Sequence, residues 1–280
     1  MVARSWPATS CAATSGAAAP AERQVMSTMW GLVRGRLRRL LIAPADMEQG
    51  PMLPVGIDDE AAATVRAVAP YTLTGPERVA ALVDAVRYVV RAQVPGALAE
   101  CGVWRGGSAL AVLRTLVELG VAERDVWLYD TFTAMPSPTE RDVDLYGVPA
   151  VDYHGRFDED PSALDPAYRY LPLPRVRELL LSTGYPCERL HLVQGRVEQT
   201  LPGQAPEQLA LLRLDTDYYT STRHELEHLA PRLSSRGVLL VDDYGHWRGS
   251  RDAVDEWMAT LPHPLLLQRI DYTARLAVLP

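Results

Sequence analysis

The chain has 280 residues, of which 48% are hydrophobic and 22% charged, and its formal net charge is −7 at neutral pH. That length accommodates one large α/β domain with extensions. The acidic balance argues against nucleic acid as the main partner, because such proteins present a basic footprint. No apolar run approaches the roughly 20 residues a membrane span requires. All 28 basic residues are arginine, so lysine is removed from the possible general bases. Three cysteines, Cys11, Cys101 and Cys187, are odd in number and unpaired in spacing. They fit a reducing, cytoplasmic setting and form no zinc pattern.

Residues 1–25 are rich in Ala, Ser, Thr and Pro without periodicity and are expected to be disordered. They resemble a weak signal peptide but lack its apolar core, and Met26 and Met29 are alternative starts. Residues 26–70 read as an amino-terminal extension. Within it, Met29 to Ile42 is basic and amphipathic. It suits a partner-docking or oligomer-contact helix better than a membrane-surface one, since its two glycines weaken it as a free helix.

From residue 71 onward the pattern is that of a domain. A helix is expected from Pro76 through Val90, with Pro in its first turn. After Pro95-Gly96 strands and helices alternate, with strands near 97–101, 126–130, 190–194, 209–214 and 237–241. Two further segments, near 265–271 and 274–279, form a closing hairpin. Helices are expected over Ala109 to Leu119 and Ser221 to Leu229. This order predicts an α/β fold with a doubly wound, mainly parallel sheet, and an antiparallel last strand would make it seven-stranded. The long segment of about 133–185, rich in Pro, Asp and Tyr, is expected to be a lid or substrate insertion. Asp158-Glu-Asp160 inside it reads as a polar loop.

The first strand runs into Glu100-Cys-Gly-Val-Trp-Arg-Gly-Gly-Ser108 and then a helix. Gly102, Gly106 and Gly107 let the backbone turn sharply and approach a ligand, while the helix start offers unpaired N–H groups. The second strand ends in Asp130, placed to hold the ribose hydroxyls of an adenosine cofactor. Nicotinamide, flavin and adenosylmethionine enzymes share such a turn. Two details favour adenosylmethionine. Trp104 and Arg105 fill the space a pyrophosphate would need, and Glu100 in the strand end can meet a cationic amine. Candidate cofactor contacts on these turns are Glu100, Gly102, Val103, Trp104, Gly106, Ser108, Asp130 and Thr131, with Gly195 and Arg196 after the third strand.

Two more predicted strands end in acids: Leu209–Leu214 runs into Asp215-Thr-Asp217, and Gly237–Val241 into Asp242-Asp243-Tyr244. Neighbouring strands lie about 4.8 Å apart. If these two are neighbours, Asp215, Asp242 and Asp243 converge at the carboxyl edge. Three carboxylates there demand a counter-charge, and oxygen ligands of this kind suit Mg, Ca or Mn. His246 and Trp247 could line an acceptor pocket or simply pack. His224 and His228 have the i, i+4 spacing of a zinc pair, but no third ligand accompanies them, and Glu225 and Glu227 suggest a solvated face.

Together these motifs resemble the macrocin-type (TylF) O-methyltransferases, which methylate sugar hydroxyls on glycosylated natural products. The resemblance spans roughly residues 70–279. It rests on Tyr71-Thr-Leu-Thr-Gly-Pro-Glu-Arg78, the Glu100 to Gly107 turn, Tyr129-Asp-Thr-Phe132, Leu212-Arg-Leu-Asp-Thr-Asp217 and Val241-Asp-Asp-Tyr244. It implies a Rossmann-like class I methyltransferase, use of S-adenosyl-L-methionine and Mg, assembly into dimers or larger homo-oligomers, and Thr72 and Leu73 as further cofactor contacts. It also implies Asp215, Asp242 and Asp243 as metal ligands and Asp217 as the base. A lysine base, as in catechol O-methyltransferase, is excluded. A phenolic or catechol acceptor, a catalytically silent binding protein and a nicotinamide-dependent oxidoreductase are the competing readings. Which sugar and hydroxyl are used does not follow from sequence.

Overall fold

Strands β1 (Ala97–Cys101) and β4 (Leu209–Leu214) are buried at every position, as strands covered on both faces must be. They pair in parallel with each other. On the outer sides β1 pairs with β2 (Val126–Asp130), which carries β3 (Leu190–Gln194), and β4 pairs with β5 (Leu233–Val241), all parallel. The hairpin of β6 (Gln268–Arg269) and β7 (Arg275–Val278) adds antiparallel strands, giving seven in the order β3-β2-β1-β4-β5-β7-β6. The computed structural model describes residues 52–152 and 170–280. The expectations for residues 1–25, Met29 to Ile42 and Asp158–Asp160 lie outside the described residues. Among the described residues no helix is long and apolar enough to cross a membrane.

Side chains of period two divide the core. Leu98, Leu128, Leu211, Val238 and Leu240 face one cluster, covered by α1 (Asp59–Val68), α2 (Pro76–Arg91), α3 (Gly107–Glu118) and α4 (Leu173–Leu181). Ala99, Cys101, Tyr129, Leu212, Leu214, Leu239 and Val241 face the other. That cluster takes in residues of the short α5 (Val197–Thr200), α6 (Tyr219–His228) and α7 (Arg248–Ala259). Alternation breaks once in β4, where the register shifts between Leu209 and Leu211. Beyond the shift, Arg213 stands opposite Glu100 on β1 and Leu240 on β5. Glu100, Arg213 and Asp242 thereby share one face at the carboxyl edge.

The first four strands have the limits expected from sequence. β5 begins earlier than 237, because Leu233 already pairs with Leu209 and an irregularity with Arg236 at φ +63° carries the chain past Ser234-Ser235. The folded unit also begins earlier than residue 71: α1 is capped by Asp58, whose carboxylate accepts from Ala61 N–H and pairs with Arg87 of α2, which also reaches Glu118 of α3. Val65 and Val68 of α1 enter the core. The insertion is not all loop. Its α4 buries Val176 and Leu180 completely. Residues 142–149 are fastened by bridges between Val143 and Pro149 and between Asp144 and Trp247. Asp142, fully buried, accepts from the Tyr219 N–H. That remote cap starts α6 two residues before its expected Ser221.

Candidate active site

Both sets of strand-end acids open onto one cavity of about 750 Å³ at the carboxyl edge of the sheet, a size ordinary for small-molecule sites. Of the candidate cofactor, metal and base residues, all but Glu100 and Gly106 line it; Trp247, the other candidate beside His246 for an acceptor wall, does not. Gly106, at φ +88°, ends the turn and starts α3 against Val176. Glu100 lies beneath the floor, 4% exposed, with Oε2 buried and unpartnered.

At one end of the cavity is the glycine turn. Gly102 has φ +87°, and a Cβ there would lie 1.9 Å from the Asp215 carbonyl oxygen, so only glycine lets the two strand ends close up. A Cβ on Gly107 would strike Thr72 and the Tyr71 carbonyl at 2.5 Å, which seats the Thr72-Leu73 segment on the start of α3. Asp130 Oδ2 accepts from the N–H groups of Val103 and Trp104 at 2.6 and 2.7 Å, and its Oδ1 from Phe132 N–H. This carboxylate therefore fixes the turn as well as facing the cavity.

At the other end, ligand oxygens of Asp215, Asp242 and Asp243 lie within 4.8 Å of one another. An all-oxygen, three-carboxylate set matches the donor chemistry of a hard divalent cation. Arginine supplies much of the counter-charge. Arg213, 3% exposed, reaches Glu100 at 2.5 Å and Asp215 and Asp242 at 2.7 Å each. Arg78 pairs with the other oxygen of Asp242 and with Asp271. Burial and then mutual repulsion hold the carboxyl groups of Asp215 and Asp243 well above the ordinary range, Arg213 offsetting this at Asp215. For Asp242 burial acts the same way, but Arg213 and Arg78 outweigh it and the net shift is downward. Burial raises Glu100 to about 7 against the pull of Arg213.

Asp217 sits beside this set at φ +63°, a left-handed conformation that non-glycine residues seldom hold without support. Its N–H donates to Asp243 Oδ2 at 3.0 Å, and its Oδ1 accepts from Trp247 Nε1 at 2.7 Å. Burial pushes its carboxyl up to about 6. His246 also lines the cavity, with Tyr272 OH at 3.4 Å from its Nδ1. Arg196 lines it from the third strand's end and pairs with Glu198.

The expectation of a solvated face also fails. Glu225 does not belong to a solvated face: it is fully buried and its oxygens accept from Thr216 Oγ1 at 3.0 and 3.2 Å. The position that Thr216 takes between the two acids of Asp215-Thr-Asp217 supplies the reason, and only Glu227 of the pair is exposed. His224 meets the Leu201 carbonyl and the ring of His228. Burial pushes the Glu225 carboxyl up to about 8 from an ordinary 4.5. Between those values the folded protein keeps a proton that the unfolded chain has released, so stability falls as pH rises through the window. Glu225→Gln is expected to match the wild type near its lower end. Above about pH 8 it should be more stable by on the order of 5 kcal/mol. Urea midpoints measured at both ends test this, and a gap that does not widen with pH would refute it.

The sequence patterns did not single out Arg78, Arg213 or the Trp247 contact with Asp217. A signal for Arg213 was present: a charged residue in a strand otherwise wholly apolar needs a buried partner. Arg78 closes the Tyr71 to Arg78 motif, but its place in an ordinary helix start gave no sign of a charge partner.

The sheet order with its antiparallel last strand, the glycine turn after β1 and the acid ending β2 define a class I methyltransferase fold. More particularly, the chain belongs to the macrocin O-methyltransferase family: the family described as Macrocin-O-methyltransferase (TylF) matches residues 54–276. It is 37% identical over 187 residues to 8-demethyl-8-(2,3-dimethoxy-alpha-L-rhamnosyl)-tetracenomycin-C 4'-O-methyltransferase of Streptomyces olivaceus, covering 67% of each chain. It is 31% identical over 174 residues to mycinamicin III 3''-O-methyltransferase of Micromonospora griseorubida, covering 62% of this chain and 65% of the relative. The solved structure of the O-methyltransferase NovP superposes with a TM-score of 0.64 at 28% identity, over 75% of this chain and 82% of that one. The matched family begins upstream of residue 70, where the resemblance read from motifs began, in keeping with the packing of α1.

Proposed function

We propose that this protein is a Mg-dependent, S-adenosyl-L-methionine-dependent O-methyltransferase that acts on a sugar hydroxyl of a glycosylated natural product or related glycoside. The observation that carries the reading is the convergence of Asp215, Asp242 and Asp243, with Asp217 beside them, in the cavity whose other end is the Gly102 turn. The named activities of the relatives, which include a rhamnosyl 4'-O-methyltransferase, support the sugar acceptor.

The residues present fit both groups. Gly102, the N–H-rich start of α3 and Asp130 form a cradle for the adenosine and amino-acid parts of the cofactor, and the three aspartates supply hard oxygen ligands for Mg. When bound, the cofactor supplies an electrophilic methyl group and the cation supplies Lewis acidity that lowers the pKa of a nearby hydroxyl. Asp217 takes the acceptor's proton, general-base work that typically contributes about 10²–10⁴-fold. Trp247 keeps its Oδ1 in place, and the Asp243 contact fixes its backbone. Residues 133–136, with Tyr170 and Tyr272, line the same cavity and would shape the acceptor space. Holding the reacting atoms in line accounts for much of the remaining rate.

Calorimetric titration of S-adenosylmethionine, with and without Mg, into the wild type and Asp243→Asn tests the reading. Asp243 is held by no arginine among the described residues, so its replacement leaves the ion pairs intact. Cofactor binding by both proteins, with the heat of Mg binding lost only in the variant, is expected. A folded wild type that binds no cofactor refutes the methyltransferase assignment. With cofactor bound, methyl transfer to a panel of deoxysugar glycosides and catechols decides the acceptor class.

A further inference from the structure

Asp242 is the one carboxylate of the three with both oxygens taken by arginine. Its Oδ1 accepts from Arg213 Nη2 at 2.7 Å and its Oδ2 from Arg78 Nη1. A divalent cation on Asp242 must therefore share an oxygen with a guanidinium or displace one. Two positive charges on one buried oxygen repel strongly where water is excluded. The two arginines are not equally free to yield. Arg213 is 3% exposed and is held by Glu100, Asp215, Asp242 and Thr74. Arg78 is 15% exposed, lines the open cavity and has a second ion pair outside the metal set, its Nε lying 3.2 Å from Asp271 Oδ2 with no hydrogen bond yet formed between them. Asp271 is itself fixed in the β6–β7 turn, where its Oδ1 accepts from the N–H groups of Thr273 and Ala274.

We infer that Arg78 is a built-in counter-cation of the carboxylate site. It neutralises Asp242 while no metal is bound, and it yields that carboxylate to an incoming divalent cation by withdrawing onto Asp271. Asp271 is then a positioning residue for metal loading although it ligates nothing. The inference deepens the metal reading given above and rests on it. It also gives the site an order: the cation binds against a competitor tethered to the first turn of α2, so the affinity for Mg is set partly by how well Asp271 receives the guanidinium. A plain bracing role for Arg78, between α2 and the closing hairpin, requires no such dependence.

The test is a double-mutant cycle read by calorimetric titration of MgCl₂ into the full chain: wild type, Arg78→Gln, Asp271→Asn and the double variant. Asparagine at 271 keeps an oxygen for the turn's N–H groups. Removing the competitor in Arg78→Gln is expected to tighten Mg binding about tenfold, within the ordinary range for coupling between two binding events. Asp271→Asn is expected to weaken it about threefold, because Arg78 then has no other partner. In the Arg78→Gln background Asp271→Asn should change nothing. That last result separates an effect through Arg78 from the direct field of the Asp271 charge, which would act equally in both backgrounds.

Unchanged or weaker Mg binding in Arg78→Gln, or an equal Asp271 effect in both backgrounds, overturns the inference while leaving the metal site standing. No Mg binding by the wild type or any variant overturns both readings together. If Arg78→Gln does not fold, Arg78→Met takes its place. It keeps the apolar stem and removes the cation, so the dependence on Asp271 is again expected to disappear, and persistence of that dependence overturns the inference.

Discussion

Asp217→Asn is expected to lower methyl transfer by about 10²–10⁴-fold, with cofactor and Mg affinity left within about twofold. The substitution is nearly isosteric, and asparagine tolerates the left-handed backbone at φ +63° better than most residues. The amide oxygen can still accept from Trp247 Nε1, and the backbone N–H can still donate to Asp243. Only the proton acceptor is lost. Single-turnover transfer of a labelled methyl group to a deoxysugar glycoside measures the effect directly. Retention of more than about a tenth of the wild-type rate would rule Asp217 out as the base.

Arg213→Met is expected to cause the largest loss of stability. Methionine fills much of the same volume but leaves Glu100, Asp215 and Asp242 facing one another without their shared partner. Breaking a buried charge set by removing one member typically costs about 3–5 kcal/mol. For a domain of this size that corresponds to a melting point lower by roughly 10 °C. Millimolar Mg is expected to recover part of the loss, because a cation on Asp215 and Asp242 restores positive charge where the guanidinium was. Thermal unfolding followed by circular dichroism, with and without Mg, provides the check. A melting point within about 2 °C of the wild type would show that the carboxylates neutralise one another by protonation and that Arg213 is dispensable.

The parts of this protein visible in its sequence are those written in adjacent residues. A buried parallel strand is a continuous apolar run, so β1 to β4 could be placed to the residue, and an acid ending such a strand must lie at the sheet edge. The acids of the site were therefore legible. Partnerships across long separations were not. Arg78 meets Asp242 and Asp271, and Asp142 caps a helix far along the chain, through contacts that only the sheet order creates. The fate of Glu225 was misjudged for a local reason: its charge pattern along α6 looks solvated, while its hydrogen-bond partner Thr216 lies in the short loop that joins β4 to α6. β5 escaped correct placement because Ser-Ser-Arg-Gly reads as a turn, although the chain passes through it without leaving the sheet.

The contact between Gly102 and Asp215 makes the molecule a ruler. Main-chain atoms of two adjoining strands, with no side chain between them, fix how far the glycine turn stands from the carboxylate set. Side-chain exchanges can widen or narrow the walls around residues 133–136, Tyr170 and Tyr272, but they cannot lengthen that spacing. Redesign toward bulkier or slimmer acceptors therefore belongs in those walls. A single residue inserted between Cys101 and Val103, or between Leu214 and Thr216, would throw the two half-sites out of gauge even if every functional side chain were retained.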